Sequence, residues 1–283
     1  MNALINYPGA KWGMAQEIVS IMPPHRSYLE PFFGSGAVLF NKPLSAIETV
    51  NDLDGDIVNF FRVLRQEPDR LAREIALTPY ARDVFDDAHA HRGDDDFDRA
   101  YRFCVRSRMG HGFKTYEKTG FKIDVFARER AYCVSQWNAT ADRIFDAAQR
   151  LKNVQIENRP AVDLIRRFNH SNVLIYADPP YLLNTRGGKQ YRCEMTSEED
   201  HKELLDVLLR HKGPVILSGY HSELYDDTLR GWSVVEHKTH NQNADMRTEV
   251  LWCNFDLPQL AMDGILAEML CRLHYSQGGD ASG

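Results

Sequence analysis

A short apolar run that ends abruptly constrains the fold of this 283-residue chain more than any other feature. The run Val173–Ala177 is followed directly by Asp178-Pro179-Pro180-Tyr181. Such a run predicts a strand that is buried on both faces, as in a parallel sheet. The strand must end at the prolines, because neither can donate a backbone hydrogen bond. The sequence therefore predicts an α/β fold with a carboxylate and a ring at the carboxyl end of a strand, where ligands bind in open sheets.

The groups in this turn suit the recognition of an amino group. The Asp178 carboxylate and the Pro179 carbonyl can each accept a hydrogen bond from one exocyclic NH2, which leaves the nitrogen lone pair free to attack an electrophile. Pro179 and Pro180 hold the turn, and Tyr181 offers a flat face for a base. The simpler alternative is a strand-ending turn with a solvated aspartate. We expect the catalytic residues to be Asp178, Pro179, Pro180 and Tyr181.

A strand and turn near the N-terminus predict a nucleotide site. The strand predicted over residues 28–33 leads into Gly34-Ser35-Gly36, and residues 37–40 are expected to begin a helix. Glycines let the backbone approach a ligand closely, and a helix N-terminus favours negative charge. The next predicted strand, 46–50, is followed by Asp52, an acid placed to bind ribose hydroxyls. A tight turn without a ligand would explain the glycines alone, but the two features together favour a nucleotide.

The distribution of charge predicts a polyanion site. The chain has a formal net charge of −6, yet residues 99–130 contain nine Lys or Arg and three Asp or Glu. This basic segment, with interleaved aromatic residues and glycines, suits phosphate contacts and base-edge readout in a nucleic acid. A solvated helix face is the alternative. The expected contact residues are Arg102, Arg106, Arg108, His111, Lys114 and Lys122, with Arg186 and Lys189 from the loop after Tyr181.

These motifs occur in the order that is typical of one family. The motifs are Tyr7-Pro8-Gly9-Ala10-Lys11, the segment EPFFGSG at 30–36, Asn51-Asp52 and the turn at 178–181. On these motifs, the chain resembles the Dam-type (D12 class) DNA adenine-N6 methyltransferases. Further matches lie at 194–196, 217–220 and 247–252. The resemblance implies a Rossmann-like methyltransferase sheet, S-adenosylmethionine as methyl donor, and double-stranded DNA as partner. It also implies a target-recognition region in the basic insertion.

The resemblance assigns further residues to the cofactor. Tyr7 and Lys11 would lie at its methionine end, with Lys11 near the carboxylate, and the region around Asn158 would flank its adenine. The implied reaction is methyl transfer to N6 of an adenine that is swung out of duplex DNA. The expected cofactor set is Tyr7, Lys11, Glu30, Pro31, Phe32, Gly34, Ser35, Gly36, Asp52, Asn158 and Asp178.

The α/β alternation breaks between residues 77 and 133, which predicts an inserted, mainly helical subdomain. The expected organisation is a cofactor-binding half, a target-recognition insertion, a second catalytic half and a disordered tail, over 1–76, 77–137, 138–274 and 275–283. No apolar run is long enough to span a membrane, and no secretory signal is visible. The five cysteines form no metal-ligand pattern, so we expect no metal and a reduced, cytoplasmic setting.

Two features follow the turn at 178–181. Residues 182–194 are polar and include Gly187 and Gly188, which predicts a mobile loop over the site. Thr196, with Glu199 three residues later, predicts a capping box that begins the next helix.

Other functions fit part of the sequence. Methyl transfer to cytosine N4, to RNA adenine or to a protein glutamine amide uses similar chemistry, but the aspartate before Pro-Pro-Tyr and the insertion favour DNA adenine. A non-catalytic DNA-binding subunit would not need Lys11, Asp52 and Asp178 together. A dinucleotide-binding oxidoreductase fits the glycine turn but not the turn at 178–181. A monomer, a homodimer and a partner endonuclease of a restriction-modification pair are all compatible with the sequence.

Overall fold

The computed structural model describes residues 1–112, 117–126, 130–185, 188–240 and 246–257. The predicted tail, 275–283, lies outside these residues. The strands are β1 (Ser27–Glu30), β2 (Ile47–Asn51), β3 (Val154–Glu157), β4 (Val173–Ala177), β5 (Val215–Gly219), β6 (Ser233–His240) and β7 (Met246–Cys253). They form one sheet in the order β3-β2-β1-β4-β5-β7-β6. The first five strands in this order are parallel, and β7 is antiparallel to both β5 and β6.

Helices cover both faces of the sheet. In the described residues they are α1 (Ala15–Ser20), α2 (Gly55–Gln66), α3 (Pro68–Leu77), α4 (Arg82–Ala90), α5 (Asp96–Met109), α6 (Tyr132–Leu151), α7 (Ala161–Arg167), α8 (Glu198–Leu209) and α9 (Glu223–Thr228), with a 3-10 turn at Leu183–Thr185. None of these helices has the length and apolar character that a bilayer crossing requires.

The central strand β4 is buried along its whole length, as predicted. Its side chains alternate between two cores because successive residues of a strand point to opposite faces. Leu174 and Tyr176 join the core under α2, α5 and α6, whereas Val173, Ile175 and Ala177 join the core under α7 and α8. Since β1, β2 and β4 run parallel, the residues that follow them meet at one edge of the sheet.

The helices of the predicted insertion share a hydrophobic core with the sheet. Phe103 of α5 packs against Phe60 of α2, with ring centroids 5.8 Å apart, and both belong to the cluster that contains Tyr28 of β1. The side chains of α4 enter the same cluster through Phe85 and Ala88. In the described part of the segment 77–137, the helices therefore pack into the core of the sheet, and the role of this segment as a target-recognition insertion stays a prediction.

Two predictions about the N-terminal half were wrong. Residues 37–40 form a single turn, in which the Phe40 N–H donates to the Gly36 carbonyl, and no helix follows. Pro43 disfavours the helical conformation for Lys42 before it, so the turn cannot extend. The strand predicted over 28–33 ends at Glu30, because Pro31 cannot donate to a neighbouring strand.

The predicted capping box is displaced by one residue. Ser197, not Thr196, is the N-cap of α8, and its hydroxyl accepts the Asp200 N–H at 3.1 Å. The Asp200 carboxylate accepts the Ser197 N–H in return, at 3.2 Å. The correct box, Ser197 with Asp200, follows the same spacing rule as Thr196 with Glu199, so the pattern located this helix start only to within one residue.

Candidate active site

The carboxyl ends of β1, β2 and β4 surround a cavity of about 420 Å³. This volume lies within the range of small-molecule and cofactor sites. Its wall also includes the N-terminal segment 7–11 and part of the loop after β4. The expected cofactor and catalytic residues that line it are Tyr7, Lys11, Glu30, Pro31, Phe32, Gly34, Ser35, Asp52, Asp178 and Pro180.

The turn after β1 is fixed by the carboxylate after β2. Gly34 has a φ of 50°, and its N–H donates to Asp52 Oδ2 at 2.8 Å. The other oxygen, Oδ1, accepts the Asp54 N–H at 2.9 Å. Burial raises the pKa of Asp52 to about 6. The carboxylate is thus largely ionised at neutral pH and keeps free lone pairs for hydroxyl donors.

Two of the expected cofactor residues do not line the cavity. Gly36 has a φ of 73°, and a Cβ at this position would lie 2.6 Å from the rings of Phe33 and Phe40, so this glycine serves core packing. Asn158 donates from Nδ2 to the carbonyl of Asp52 at 2.7 Å and so braces the end of β2. The part of this region that lines the cavity is residues 160–163.

Asp178 is paired within the protein. Its Oδ2 lies 2.9 Å from the Lys11 ammonium, and its Oδ1 accepts the Tyr181 hydroxyl at 3.1 Å. The carboxylate side chain is 17% exposed. Burial raises the pKa of Asp178, and the Lys11 charge opposes that rise. Each oxygen retains a lone pair, so the carboxylate can still accept a hydrogen bond from an incoming amino group.

Lys11 lies in the wall of the cavity between two protein carboxylates. Its ammonium donates to the Gly9 carbonyl at 2.7 Å, lies 2.9 Å from Asp178 and lies 3.8 Å from Glu249 Oε2. Its side chain is only 4% exposed. The Gly9 carbonyl and Asp178 occupy two of its three donors, and Glu249 is an ion-pair partner beyond hydrogen-bond distance. Lys11 is therefore the counter-ion of Asp178, and its expected place near the cofactor's carboxylate stays a prediction.

Tyr181 is enclosed by neighbouring side chains. The Lys11 ammonium lies 5.0 Å from its ring centroid, and the Tyr220 ring meets it edge-on at 4.6 Å. Sequence reasoning did not assign roles to Tyr220 or Glu249, although both lie in the matched segments 217–220 and 247–252. The sheet order, in which β5 lies beside β4 and β7 lies beside β5, brings them to the site.

Glu30 is a buried acid behind the cavity. Its carboxyl group accepts the Tyr28 hydroxyl at 2.8 Å, and the residue is 2% exposed. Burial raises the pKa of Glu30 to about 8. Glu30 is therefore mostly protonated at neutral pH and adds little negative charge to the site.

Three arginines of the basic segment are engaged inside the fold. Arg102 binds Asp98 and Asp87, both acids of the same helical layer, at 2.9 and 2.7 Å. Arg106 is 8% exposed and donates to a carbonyl of α4, and Arg108 is 5% exposed. Burial contradicts the expected phosphate contacts of Arg106 and Arg108, and the acidic partners offset the charge of Arg102.

The remaining basic residues lie nearer the surface. His111 and Lys189 are exposed and Lys122 is partly exposed, whereas Lys114 and Arg186 lie outside the described residues. Gly110 and Phe121 form one antiparallel bridge, beside which the His111 N–H donates to the Gly120 carbonyl at 2.9 Å. Directly after it, apolar side chains at 123, 125 and 126 are 60%, 77% and 94% exposed.

The described part of the loop after β4 covers one side of the cavity. Arg192 binds Asp56 at 2.6 Å and lies 3.7 Å from Asp54. The Glu194 carboxylate accepts the N–H groups of Gln190 and Tyr191 at 2.6 and 2.9 Å. This loop therefore closes over the cavity through ion pairs with the start of α2. Within the described ranges, no three His, Cys, Asp or Glu side chains are grouped as metal ligands.

The family is decided by a comparison with known sequences. Residues 7–243 match the family model of the D12 class N6 adenine-specific DNA methyltransferases. The chain belongs to this family. It is 24% identical to the DNA adenine methylase of Vibrio cholerae O395 over 88% of this chain and 93% of that protein, and 23% identical to the Escherichia coli K12 DNA adenine methylase over 78% and 82%.

Two further similarities are weaker. The chain is 24% identical to the DNA N-6-adenine-methyltransferase of Escherichia phage P1, over 73% of this chain and 28% of that protein. A SAM-dependent methyltransferase from Agrobacterium tumefaciens aligns with a TM-score of 0.38 at 12% identity, over 86% of this chain and 61% of that one, a likeness too low to inform the site. The observed sheet order and helical layers are nonetheless those of a Rossmann-like methyltransferase fold.

Proposed function

We propose that this DNA adenine methyltransferase transfers a methyl group from S-adenosylmethionine to N6 of an adenine that has been flipped out of double-stranded DNA. One observation carries the proposal. The Asp178 carboxylate lines the same cavity as the Gly34 turn and Asp52, so an amino group on Asp178 and a nucleotide cofactor would face each other.

The residues of the cavity fit such a cofactor. Gly34 leaves the turn after β1 open to a close ligand, and Asp52, ionised at neutral pH, suits ribose hydroxyls. Residues 160–163 would flank the cofactor's base. S-adenosylmethionine, when bound, supplies a methyl group on a sulfonium sulfur, which is open to in-line attack by a nitrogen lone pair.

Asp178 orients the attacking nitrogen. Its carboxylate and the Pro179 carbonyl accept the two N6 hydrogens, which leaves the lone pair directed at the methyl group. As positive charge develops on N6, the ionised carboxylate stabilises it, a preorganised electrostatic effect. The Lys11 and Tyr181 contacts hold Asp178 in place before substrate arrives. In this proposal the flipped base stacks on Tyr181, the side chain next to Asp178.

We assign DNA recognition to the insertion, 77–137, through its surface rather than its buried arginines. His111 and Lys122 lie beside the Gly110–Phe121 bridge, and Lys189 is exposed on the loop after β4. The Lys122 and Lys189 ammonium groups suit phosphate contacts, and the His111 ring can donate a hydrogen bond to a phosphate oxygen. The exposed apolar residues next to the bridge suit contact with unstacked bases.

The proposal is tested by transfer of a labelled methyl group. Purified chain is mixed with tritiated S-adenosylmethionine and duplex genomic DNA from a methylation-free strain, and the nucleosides are then separated. Label in N6-methyladenine supports the proposal. An Asp178→Ala variant is expected to lose transfer while it binds the cofactor with nearly wild-type affinity by calorimetry. Label in cytosine alone would refute the DNA adenine assignment, as would unlabelled DNA when parallel reactions with RNA or protein become labelled.

A further inference from the structure

Glu249 has no role in the chemistry described above, yet it lies against the catalytic turn. It stands on β7, its side chain is 12% exposed, and its Oε2 is 3.8 Å from the Lys11 ammonium. The same ammonium lies 2.9 Å from Asp178. Two partly exposed carboxylates therefore share one buried cation. Such an arrangement affects the field at the site, because charges that are largely removed from water are weakly screened.

The net charge of this cluster matters for the reaction. Asp178 with Lys11 alone is a neutral pair, so the ammonium would cancel much of the attraction that Asp178 exerts on a positive N6. With ionised Glu249, the cluster carries a net charge of −1. Glu30, the other acid nearby, is mostly protonated at neutral pH because burial raises its pKa to about 8. Glu249 is thus the side chain that can restore the negative field.

Resting on the proposed methyl transfer, we propose that Glu249 is a positioning residue for Lys11. It holds and neutralises the Lys11 ammonium, so that Asp178 is free to accept the substrate amino group and to stabilise its developing charge. The step adds no bond to Glu249. N6 forms a bond to the methyl carbon as the carbon–sulfur bond of the sulfonium breaks, and the sulfur keeps the electron pair as a neutral thioether. N6 then releases one proton to solvent, and Glu249 keeps its charge throughout.

The surroundings of Glu249 define how its charge responds to pH. Burial raises the pKa of Glu249, and the Lys11 charge opposes the rise. Glu249 contributes its negative charge to the site when it is ionised, and this charge is lost as the pH falls through the raised pKa of Glu249. The ionisable groups that face it are Lys11, Asp178, Tyr176 and Tyr181, together with His237 on β6, which itself pairs with Glu17.

The test compares Glu249→Gln and Glu249→Asp with the wild-type chain. The rate of a single methyl transfer is measured with enzyme in excess over genomic DNA from a methylation-free strain, from pH 5 to pH 9. Glu249→Gln is expected to slow this step roughly tenfold to a hundredfold, with unchanged cofactor and DNA affinities. Glu249→Gln should also move the acid limb of the pH–rate profile to lower pH. Asp178 then shares the Lys11 charge with no other acid, so the ionised form of Asp178 persists to lower pH. Glu249→Asp should retain more of the rate.

The control variant is Glu236→Gln, which removes an equal charge from an exposed position on the neighbouring strand β6. It should leave both rate and profile unchanged. A Glu249→Gln protein with the wild-type rate and acid limb would overturn the inference, as would a loss of rate matched by an equal loss of cofactor affinity. A Glu249→Asp protein as slow as Glu249→Gln would also contradict it. If the wild-type chain itself transferred no methyl group to DNA, the proposed function would fail, and this inference with it.

Discussion

Replacement of Arg108 distinguishes two roles for this arginine, a structural one inside the fold and a direct contact with DNA. Arg108 is 5% exposed, and its guanidinium donates to Asn6 Oδ1 at 3.2 Å and to the Gln136 carbonyl at 2.9 Å. The neighbouring Ser107 exchanges hydrogen bonds with the Asn6 backbone at 2.7 and 2.8 Å. Arg108 therefore joins the end of α5 and the start of α6 to the segment that carries Lys11.

The Arg108→Met substitution keeps most of the side-chain volume but leaves two acceptors unpaired. Hydrogen bonds from a charged donor contribute about 1.5 to 3 kcal/mol each, and the buried guanidinium has a desolvation cost that methionine avoids. We expect the free energy of unfolding to fall by about 2 to 4 kcal/mol, which corresponds to a melting temperature lower by about 5 to 10 °C. The dependence of DNA affinity on salt should not change.

Thermal unfolding and DNA titrations at several salt concentrations check both expectations. The matched control is Arg99→Met on the same helix, where the side chain is 44% exposed and pairs with Asp96. This change should alter stability by less than about 0.5 kcal/mol. Arg108 would instead be a DNA contact if Arg108→Met melts like wild type while the slope of log affinity against log salt weakens by about 0.9, the effect of one lost phosphate contact.

Three other predictions concern the loop, a buried acid and a helix cap. Arg192→Ala removes the partly exposed ion pairs to Asp56 and Asp54 and should weaken cofactor binding about two- to fivefold by calorimetry. Glu30→Gln should gain stability over wild type as the pH rises. Between pH 5 and 8 the unfolded wild-type chain releases the Glu30 proton, whereas the folded chain, in which the pKa of Glu30 is about 8, retains it. The free energy of unfolding of wild type, measured by denaturant titration, should therefore fall by up to about 1.4 kcal/mol per pH unit. Ser197→Ala should lower stability by about 1 kcal/mol, and Thr196→Ala should not, because only Ser197 caps α8.

The catalytic edge of the fold was predictable from local patterns. The apolar run before Asp178 could only be a buried strand, and the glycines and acid after the first two strands marked neighbouring loops. Strands that are parallel and adjacent bring these loops together, so Asp52 and Asp178 were expected on one cavity and lie there. The strict alternation of β4 between two cores follows from the same pattern.

The partners of charged side chains were not predictable in the same way. The count of basic residues in 99–130 ignores the acids that fold against them, and Asp87 and Asp98 pair with Arg102. Lys11 lies between Asp178, which follows β4, and Glu249 on β7, and its expected place near the cofactor's carboxylate stays a prediction. The Asp98–Arg102 pair is a local i, i+4 pair, whereas the pairs Asp87–Arg102 and Lys11–Glu249 join residues that are distant in sequence, which no local pattern encodes.

The central claim is that Asp178 directs methyl transfer to adenine N6 in duplex DNA. The most direct measurement is single-molecule mapping of N6-methyladenine in the genome of a methylation-free host that expresses either the wild-type chain or its Asp178→Asn variant. We expect N6-methyladenine at one recurring sequence with the wild-type chain and none with the variant at equal protein level. Unmodified adenine in both strains, or equal methylation in both, would contradict it.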